Sequence, residues 1–379
     1  LFELFTTIQK EFIISFIPGY DSTMNPNSFH ILLTTYSYFL SNNNINSICN
    51  KSWGLLIFDE LSDSHLNSVL AINEKVKSQS KIGLAPFPIS NDEIIRKFNY
   101  AIGPQFYTKT WNDLSQNGFL PKVKCSIIYC KMTPPFLYGY TTSTSLLLRR
   151  LLSGLNPNKI MFLERLIKMH EGRNDKILVI SDVQYILEKY AQLLFVDGQK
   201  RRPLVTLTAP VDEREHYFNR FTYQQDVSCL FLSRIIDKAI DIPPANVLIQ
   251  ITPYIGSKVS EVQRMANLLK PKFGRTNTAF ENAYFYIFVS EDTKEMFCSN
   301  KSRQNLIESG FSVKPVYKVM SHQAYSSKNK VKLTCQTAKE QKELYDEIMK
   351  TSLNNGALEI LDEEKFMTAP SNLHISKTL

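Results

Sequence analysis

The sequence predicts an α/β protein in which two lobes, each built on a parallel sheet, follow one another along the chain. Short apolar runs that fit strands alternate with stretches of helical periodicity. The strand predictions cover residues 31–38, 55–58, 81–84 and 123–129 in the first half, and 175–182, 230–233, 246–251 and 283–289 in the second. Strands spaced by helices of this length favour right-handed βαβ units, and the pattern occurs twice.

The chain has 379 residues, which is room for two domains that each bury a core. Pro134-Pro135 marks the predicted boundary. We expect a first lobe over 1–134, a connector over 135–160, a second lobe over 161–325 and a charged tail over 326–379. Amphipathic helices are predicted at 159–170 and, in a loosely packed tail, at 338–349.

Composition excludes some classes of protein and supports others. No apolar run is long enough to span a bilayer, so we expect no membrane partner. The net charge of +8 makes a polyanion partner plausible, although many basic proteins bind none. Six cysteines do not suggest a disulfide framework in a chain of this length. Cys125 and Cys130 should point to opposite faces of a strand, as structural thiols.

The most informative block is the apolar run 54–58 followed by Asp59 and Glu60. Such a run fits a strand buried on both faces, and ligands bind at the carboxyl ends of parallel strands. In nucleotide hydrolases an Asp at this place holds magnesium, and a neighbouring Glu polarises the attacking water. A solvated strand end is the commoner explanation of the pattern when it stands alone.

A second candidate lies in the other lobe, where the segment 261–270 should open a helix just after a strand. Motors built from two such lobes place arginines there, which stabilise charge on the transferred phosphate. Gln263 and Arg264 are the candidates in this segment. An amphipathic surface helix is the alternative interpretation.

Several segments together resemble the xeroderma pigmentosum group B (XPB) family of superfamily 2 helicases, the DNA translocases of transcription factor TFIIH. The similar segments are GLLIFDELS at 54–62, WNDLSQNG at 111–118, CKMTP at 130–134, LNPNK at 155–159, KMHEGRNDKI at 168–177, DIPPANVLIQ at 241–250 and VSEDTKEM at 289–296. The similarity runs in one order over about residues 10–320. It implies two RecA-like parallel-sheet lobes, the first of them incomplete.

The resemblance also implies a function. It predicts an ATP-dependent helicase or translocase, with ATP and Mg²⁺ as cofactors, acting in promoter opening and nucleotide excision repair. The partners it implies are the backbone of duplex or single-stranded DNA and the other TFIIH subunits. The location would be nuclear. The abundance of Asn and Lys suggested a reduced endosymbiont nucleus as a narrower possibility.

Site residues carry over from the family motifs one by one. Asp59 would bind magnesium and Glu60 would orient water. Gln263, Arg264 and Asp237 would contact the nucleotide. The predicted contacts to the DNA backbone are Thr34, Thr35 and Tyr36 at one strand end, and Ser233, Arg234 and Lys238 at another. For Thr34 and Thr35, capping of a turn is an equally good explanation.

The departures from the family bear on activity. No Gly-x-x-x-x-Gly-Lys-Ser/Thr phosphate loop occurs, so we expect a truncated first lobe with unpaired strand edges and uncovered apolar surface. Ser62 stands where the family has a His, and His65 lies too far along to replace it directly. The third motif is Gly-Leu-Ala-Pro-Phe at 83–87 and has lost two hydroxyls. Asn267 and Lys270 replace two later arginines.

Two further hypotheses remain open at this point. The first is a catalytically decayed scaffold subunit of the same complex, which binds DNA or partners without ATP turnover. The second is a nuclease joined to a helicase-like fold. It has little support, because no separate acidic cluster for two metal ions is visible in the sequence.

Overall fold

The computed structural model describes residues 13–16, 30–41, 46–85, 89, 91–194, 202–206, 208–233, 245–254, 258–269, 282–317 and 333–354. The chain divides into two compact units, Leu1–Thr108 and Lys109–Leu379.

Unit 1 contains two pairs of parallel strands. β1 (Ile13–Phe16) pairs with β2 (Ile31–Thr34), and β3 (Trp53–Phe58) pairs with β4 (Ser78–Gly83). The helices are α1 (Tyr36–Ser41), α2 (Asn46–Asn50), α3 (Leu66–Lys75), which follows a 3₁₀ turn at Asp63–His65, and α4 (Asp92–Ala101). The predicted strand 31–38 is therefore wrong beyond Thr34, because the chain turns there into α1.

One face of β3 is uncovered. Phe58 is 2% exposed and lies in the core of the unit, whereas Leu55 and Ile57 are 46% and 52% exposed. The prediction that this strand is buried on both faces is wrong. Its side chains alternate between core and solvent, and β4 is its only strand neighbour in the part of the chain described here. Apolar surface is exposed at this strand.

Unit 2 is organised by a seven-stranded parallel sheet in the order β11-β5-β10-β9-β6-β8-β7. The strands are β5 (Val123–Cys130), β6 (Ile177–Ile180), β7 (Leu204–Val205), β8 (Cys229–Leu232), β9 (Val247–Gln250), β10 (Ala283–Ser290) and β11 (Val313–Tyr317). Every residue of β6, β8 and β9 is buried, as apolar strands between two helical layers require. The α/β fold class is confirmed.

Helices pack on both faces of this sheet. They are α5 (Trp111–Gln116), α6 (Pro134–Thr142), α7 (Leu146–Gly154), α8 (Pro157–Glu171), α9 (Gln184–Leu193), α10 (Val211–Tyr223), α11 (Lys258–Leu269), α12 (Lys294–Glu308) and α13 (Ala338–Asn354). Two apolar cores result, one on each face. Cys125 lies in one core and Cys130 in the other, which confirms that they point to opposite faces. Burial raises the pKa of each thiol to about 12.

Two predicted boundaries need correction. The division falls after Thr108 instead of at 134, because β5 pairs along its whole length with β10 and joins the sheet of unit 2. The predicted connector 135–160 is likewise part of unit 2. The tail helix is not loosely packed: Leu344 and Ile348 of α13 are buried, and Tyr345 packs edge-on against Phe136.

No helix in the described part of the chain is long and apolar enough to cross a membrane.

Candidate functional site

The predicted acidic pair lies at the carboxyl end of β3. Both Asp59 and Glu60 are exposed. The Tyr36 hydroxyl donates a hydrogen bond to the Asp59 carbonyl (2.7 Å), and the Glu60 amide donates one to Asp59 Oδ1 (2.8 Å). Their backbone is thus held while the carboxylates remain accessible, as a metal-binding or water-orienting role requires.

Glu60 has a left-handed backbone conformation with φ of 52°. For a residue with a side chain, this conformation costs about 1–2 kcal/mol and persists only where neighbours enforce it. His65 Nδ1 lies 2.9 Å from the Glu60 carbonyl oxygen. The turn between the acidic pair and α3 is therefore closed by a side chain five residues further along.

The third-motif segment reaches the acidic pair through its backbone. The Leu84 amide donates to the Phe58 carbonyl (2.8 Å), and the Leu61 amide donates to the Leu84 carbonyl (2.8 Å). Gly83 packs so tightly here that a Cβ would lie 2.5 Å from Leu61 Cδ1. The loss of the two motif hydroxyls thus leaves a backbone connection in place.

The acidic pair lies close enough to Tyr36 to affect the pKa of its phenol. Burial, with the neighbouring Asp59 and Glu60 carboxylates, raises the pKa of Tyr36 to about 12. Its ring stacks on Phe58 (6.4 Å between centroids) and on His65 (5.0 Å). The side chain of Tyr36 is thus turned toward the acidic turn, and its contact with DNA stays a prediction.

The two threonines before Tyr36 are exposed at the end of β2. Thr35 Oγ1 accepts a hydrogen bond from the Tyr38 amide (3.2 Å), which caps the first turn of α1. The Thr34 hydroxyl lies 3.5 Å from the Thr35 carbonyl. The capping explanation therefore fits Thr35, and the exposure of both residues leaves contact with DNA as a prediction.

In unit 2, Arg264 is held inside the protein. Its side chain is 1% exposed, and Nη2 lies 2.6 Å from Oδ1 of Asp182, which is 8% exposed. The guanidinium stacks on the Tyr254 ring, 3.8 Å from its centroid. Asp182 follows β6 at the carboxyl edge of the sheet. This arrangement ties α11 to that edge, and contact between Arg264 and a nucleotide stays a prediction.

Two other residues of unit 2 that the sequence singled out, Ser233 and Asn267, are buried. Asn267, in place of a family arginine, is buried and donates to the Arg264 carbonyl (3.2 Å). Ser233 is 6% exposed at the end of β8. The backbone of Gln263 lies in α11, but its side chain is outside the described part of the structure, as are Arg234, Asp237, Lys238 and Lys270.

Sequence reasoning missed two partners. His65 was set aside on spacing alone, because a 3₁₀ turn that returns the side chain to Glu60 leaves no clear sequence signal. Asp182 was noted only as an acid after an apolar run, and nothing local identifies Arg264 as its partner. Arg202, which is flanked in sequence by Arg201 and Lys200, is buried and paired with Glu171 (2.6 Å).

A magnesium ion would be held mainly by Asp59. No cluster of three or more metal-binding side chains occurs among the described residues. That fits Mg²⁺, which commonly takes one or two carboxylates and completes its shell with water and phosphate oxygens. Glu60, whose side chain is exposed beside Asp59, would orient a water molecule.

The same fold occurs among solved helicase structures. Solved structures with the same fold include the helicase domain of Hef from Pyrococcus furiosus, with a TM-score of 0.55 and 13% identity over 80% of this chain and 85% of that one. A second is Mss116p bound to single-stranded RNA and AMP-PNP, with a TM-score of 0.51 and 13% identity over 84% and 59% of the two chains. At this identity they show the fold alone.

The family follows from sequence. Residues 114–374 match the ERCC3/RAD25/XPB C-terminal helicase, and the chain belongs to this family. The Dictyostelium discoideum TFIIH helicase/translocase subunit XPB is 35% identical over 84% of this chain and 38% of its own length. The subunit from Enterocytozoon bieneusi is 34% identical over 86% and 52%, and XPB/SSL2 of Saccharomyces cerevisiae is 31% identical over 88% and 39%. The chain thus spans between about two fifths and half of these relatives.

Proposed function

We propose that this protein is an ATP-dependent DNA translocase subunit of TFIIH that acts in promoter opening and nucleotide excision repair. Family membership and the names of its relatives support this role. The proposed location is the nucleus. The relatives give no support to a reduced endosymbiont nucleus, which is not part of the proposal.

The observation that carries the proposal is the exposed acidic pair at the end of β3. Asp59 would bind the magnesium ion that accompanies ATP, and Glu60 would orient the attacking water. Magnesium supplies charge neutralisation on the phosphates when bound. Both roles need carboxylates that are fixed in direction and open to solvent. Gln263 and Asp237 are proposed as further contacts to the nucleotide.

Arg264 enters the proposal as a positioning residue, because its buried pairing with Asp182 directs its charge inward. It would hold α11 against the carboxyl edge of the sheet. Of the two roles, positioning of α11 is better supported by the burial of Arg264 than direct contact with the nucleotide.

Contact with DNA would be made chiefly through phosphates. The net charge of +8 and the exposed hydroxyls of Thr34 and Thr35 are the supporting features, with Arg234 and Lys238 as proposed cationic contacts and Ser233 as a neighbouring one. Binding would then be indifferent to sequence, and log K would fall linearly with log salt by about 0.9 per neutralised phosphate. A titration on two unrelated duplexes over a range of salt concentrations measures this slope.

A scaffold subunit without turnover is the second candidate, and one observation favours it. Asn267 is buried and uncharged where the family has an arginine, and Arg264 is engaged by Asp182. Loss of an arginine that stabilises the transition state lowers turnover by about 10³-fold or more.

ATP hydrolysis by the protein from its source cells, with and without duplex DNA, separates the two candidates. The translocase proposal predicts phosphate release that duplex DNA stimulates and that Asp59→Asn abolishes. Turnover at the level of the Asp59→Asn background, with DNA binding retained, would establish the scaffold function instead.

A further inference from the structure

The turn that carries the acidic pair is enclosed by two aromatic side chains from outside it. Tyr36, from α1, bonds to the carbonyl of Asp59, and His65, from the 3₁₀ turn, bonds to the carbonyl of Glu60. The two rings stack with 5.0 Å between centroids and 24° between planes. Two consecutive carbonyls are thus held by two rings that support each other.

The hydrogen bonds define the state of the histidine ring. A carbonyl oxygen only accepts, so His65 Nδ1 carries the hydrogen and donates it to Glu60. Ser62 Oγ, 3.1 Å from Nδ1, lies on the same side as a second acceptor. The Ser62 hydroxyl can then donate to Ser64 Oγ at 2.9 Å. Ser62, which replaces the family histidine, is thereby joined to a histidine three residues later.

The contact from His65 bears on the backbone conformation of Glu60. With φ of 52°, Glu60 adopts a conformation that an L-residue leaves unless its neighbours enforce it. The amide of Glu60 is bound to Asp59 Oδ1 and its carbonyl to His65, so both peptide groups that flank its side chain are tied. Release of the carbonyl would let the Glu60 carboxylate change direction.

We propose that His65 is a positioning residue for Glu60, which it holds in the left-handed conformation through the Nδ1–H bond to the Glu60 carbonyl, with Tyr36 as its support. The inference rests on the proposed function for its effect on ATP turnover. It deepens that function, because it identifies how a chain with serine at the fourth position of the acidic motif keeps its catalytic carboxylate aligned. His65 itself does not contact the nucleotide in this role.

A pair of substitutions separates the hydrogen bond from ring packing. The amide nitrogen of Asn can occupy the place of Nδ1, whereas that of Gln reaches the place of Nε2. Both substitutions remove the ring. A hydrogen-bonding role predicts that His65→Asn behaves as the wild type and that His65→Gln does not. If His65 acts only through packing of its ring, both variants should lose the alignment of Glu60 to the same extent.

The first readout is independent of catalysis. Hydrogen–deuterium exchange in the full protein should be faster in the peptide 59–66 for His65→Gln and unchanged for His65→Asn. His216→Asn, at an exposed position of α10, is the matched control and should change nothing in this peptide. Equal exchange in the Asn and Gln variants, whether fast or slow, would overturn the proposal.

The second readout is ATP turnover. His65→Gln should lower kcat by about ten- to a hundredfold with KM for ATP unchanged, because misdirection of Glu60 affects the transition state more than binding. His65→Asn should stay within about twofold of the wild type. A change in KM alone would contradict a positioning role. If the wild type releases no phosphate, the proposed function fails, and the exchange measurement still decides the role of His65.

Discussion

The acidic residues that follow β3 and β6 differ in the side chains that they meet. β3 is followed by Asp59 and Glu60, both exposed, and β6 is followed by Ser181 and Asp182. The side chain of Asp182 is 8% exposed and is paired with Arg264. In sequence the two blocks look alike, each an apolar run that ends in a carboxylate. In the structure, the carboxylates of Asp59 and Glu60 are exposed to solvent, whereas the carboxylate of Asp182 joins α11 to the sheet.

The neighbours of each strand account for this difference. β6 lies between β8 and β9 in the sheet of unit 2, so residues after its end meet those that lead into α11. β3 pairs with β4 in the described part of unit 1, and hydrogen bonds from Tyr36 and His65 hold the backbone of its turn, while both carboxylates are exposed. An acid after a strand is thus a candidate ligand site where its carboxylate is exposed, and a structural residue where it pairs with a cation inside the protein.

The largest effect should come from the buried pair. Arg264→Ala removes the partner of Asp182 and leaves a buried carboxylate uncompensated, which should lower the free energy of unfolding of unit 2 by about 3–5 kcal/mol. Urea unfolding followed by Trp111 fluorescence measures it. A Trp53→Phe background removes the only other tryptophan.

Arg303→Ala, at an exposed position of α12, is the control and should stay within about 0.5 kcal/mol of the parent. The double variant Arg264→Met with Asp182→Leu should recover much of the loss, because it removes both charges together. A cost below about 1 kcal/mol for Arg264→Ala would show that the ion pair does not stabilise the edge of the sheet.

The next largest effect on stability is expected from a leucine of β6, in comparison with a leucine of β3. Leu178 of β6 is fully buried and Leu55 of β3 is 46% exposed. Leu178→Ala should cost about 2–5 kcal/mol, whereas Leu55→Ala should change stability by less than about 0.5 kcal/mol. Unfolding of each unit is followed in the background that retains its own tryptophan, Trp53 or Trp111. Equal costs would mean that β3 is buried on both faces in solution.

The smallest effect concerns the acidic turn and depends on pH. The pKa of Tyr36 is raised to about 12, above the ordinary value of 10. Because the folded state holds the proton more tightly, the stability due to the neutral phenol is complete below pH 10 and is lost as the pH rises to 12. Tyr36→Phe should therefore weaken unit 1 modestly at pH 8 and reduce its loss of stability above pH 10.

Denaturant unfolding of unit 1 at pH 8 and at pH 11, followed by Trp53, measures the Tyr36 effect. Tyr100→Phe, at a position 83% exposed in the same unit, is the matched control and should leave the pH dependence unchanged. If Tyr36→Phe and the wild type lose stability equally between these pH values, the phenol does not face the carboxylates.

Much of the fold followed from pattern alone. Apolar runs with helices between them predicted the parallel strands of unit 2, and β6 was expected at 175–182 and lies at Ile177–Ile180. The resemblance to the XPB family was confirmed. The boundary was misplaced, because Pro134-Pro135 begins α6 and does not end a domain. A pair of prolines can either begin a helix or mark the end of a domain. Only the pairing of strands, which is a long-range contact, distinguishes these two cases.

The site was less predictable than the fold. Asp59 and Glu60 could be found because they follow a strand directly. The contacts of Tyr36, His65 and Arg264 span 23, 5 and 82 residues along the chain. Neither periodicity nor spacing carries information about such contacts. Sequence similarity predicts a role for Arg264 at the nucleotide, but its burial against Asp182 is visible only in the folded protein.

A matched pair of substitutions tests the central claim, that the acid after β3 is catalytic and the acid after β6 is structural. We would measure ATP turnover and urea unfolding for Asp59→Asn and Asp182→Asn. The account predicts that Asp59→Asn lowers turnover by at least about 100-fold and leaves the unfolding midpoint unchanged. Asp182→Asn should instead destabilise unit 2. Wild-type turnover in Asp59→Asn, or an unaltered unfolding midpoint in Asp182→Asn, would contradict it.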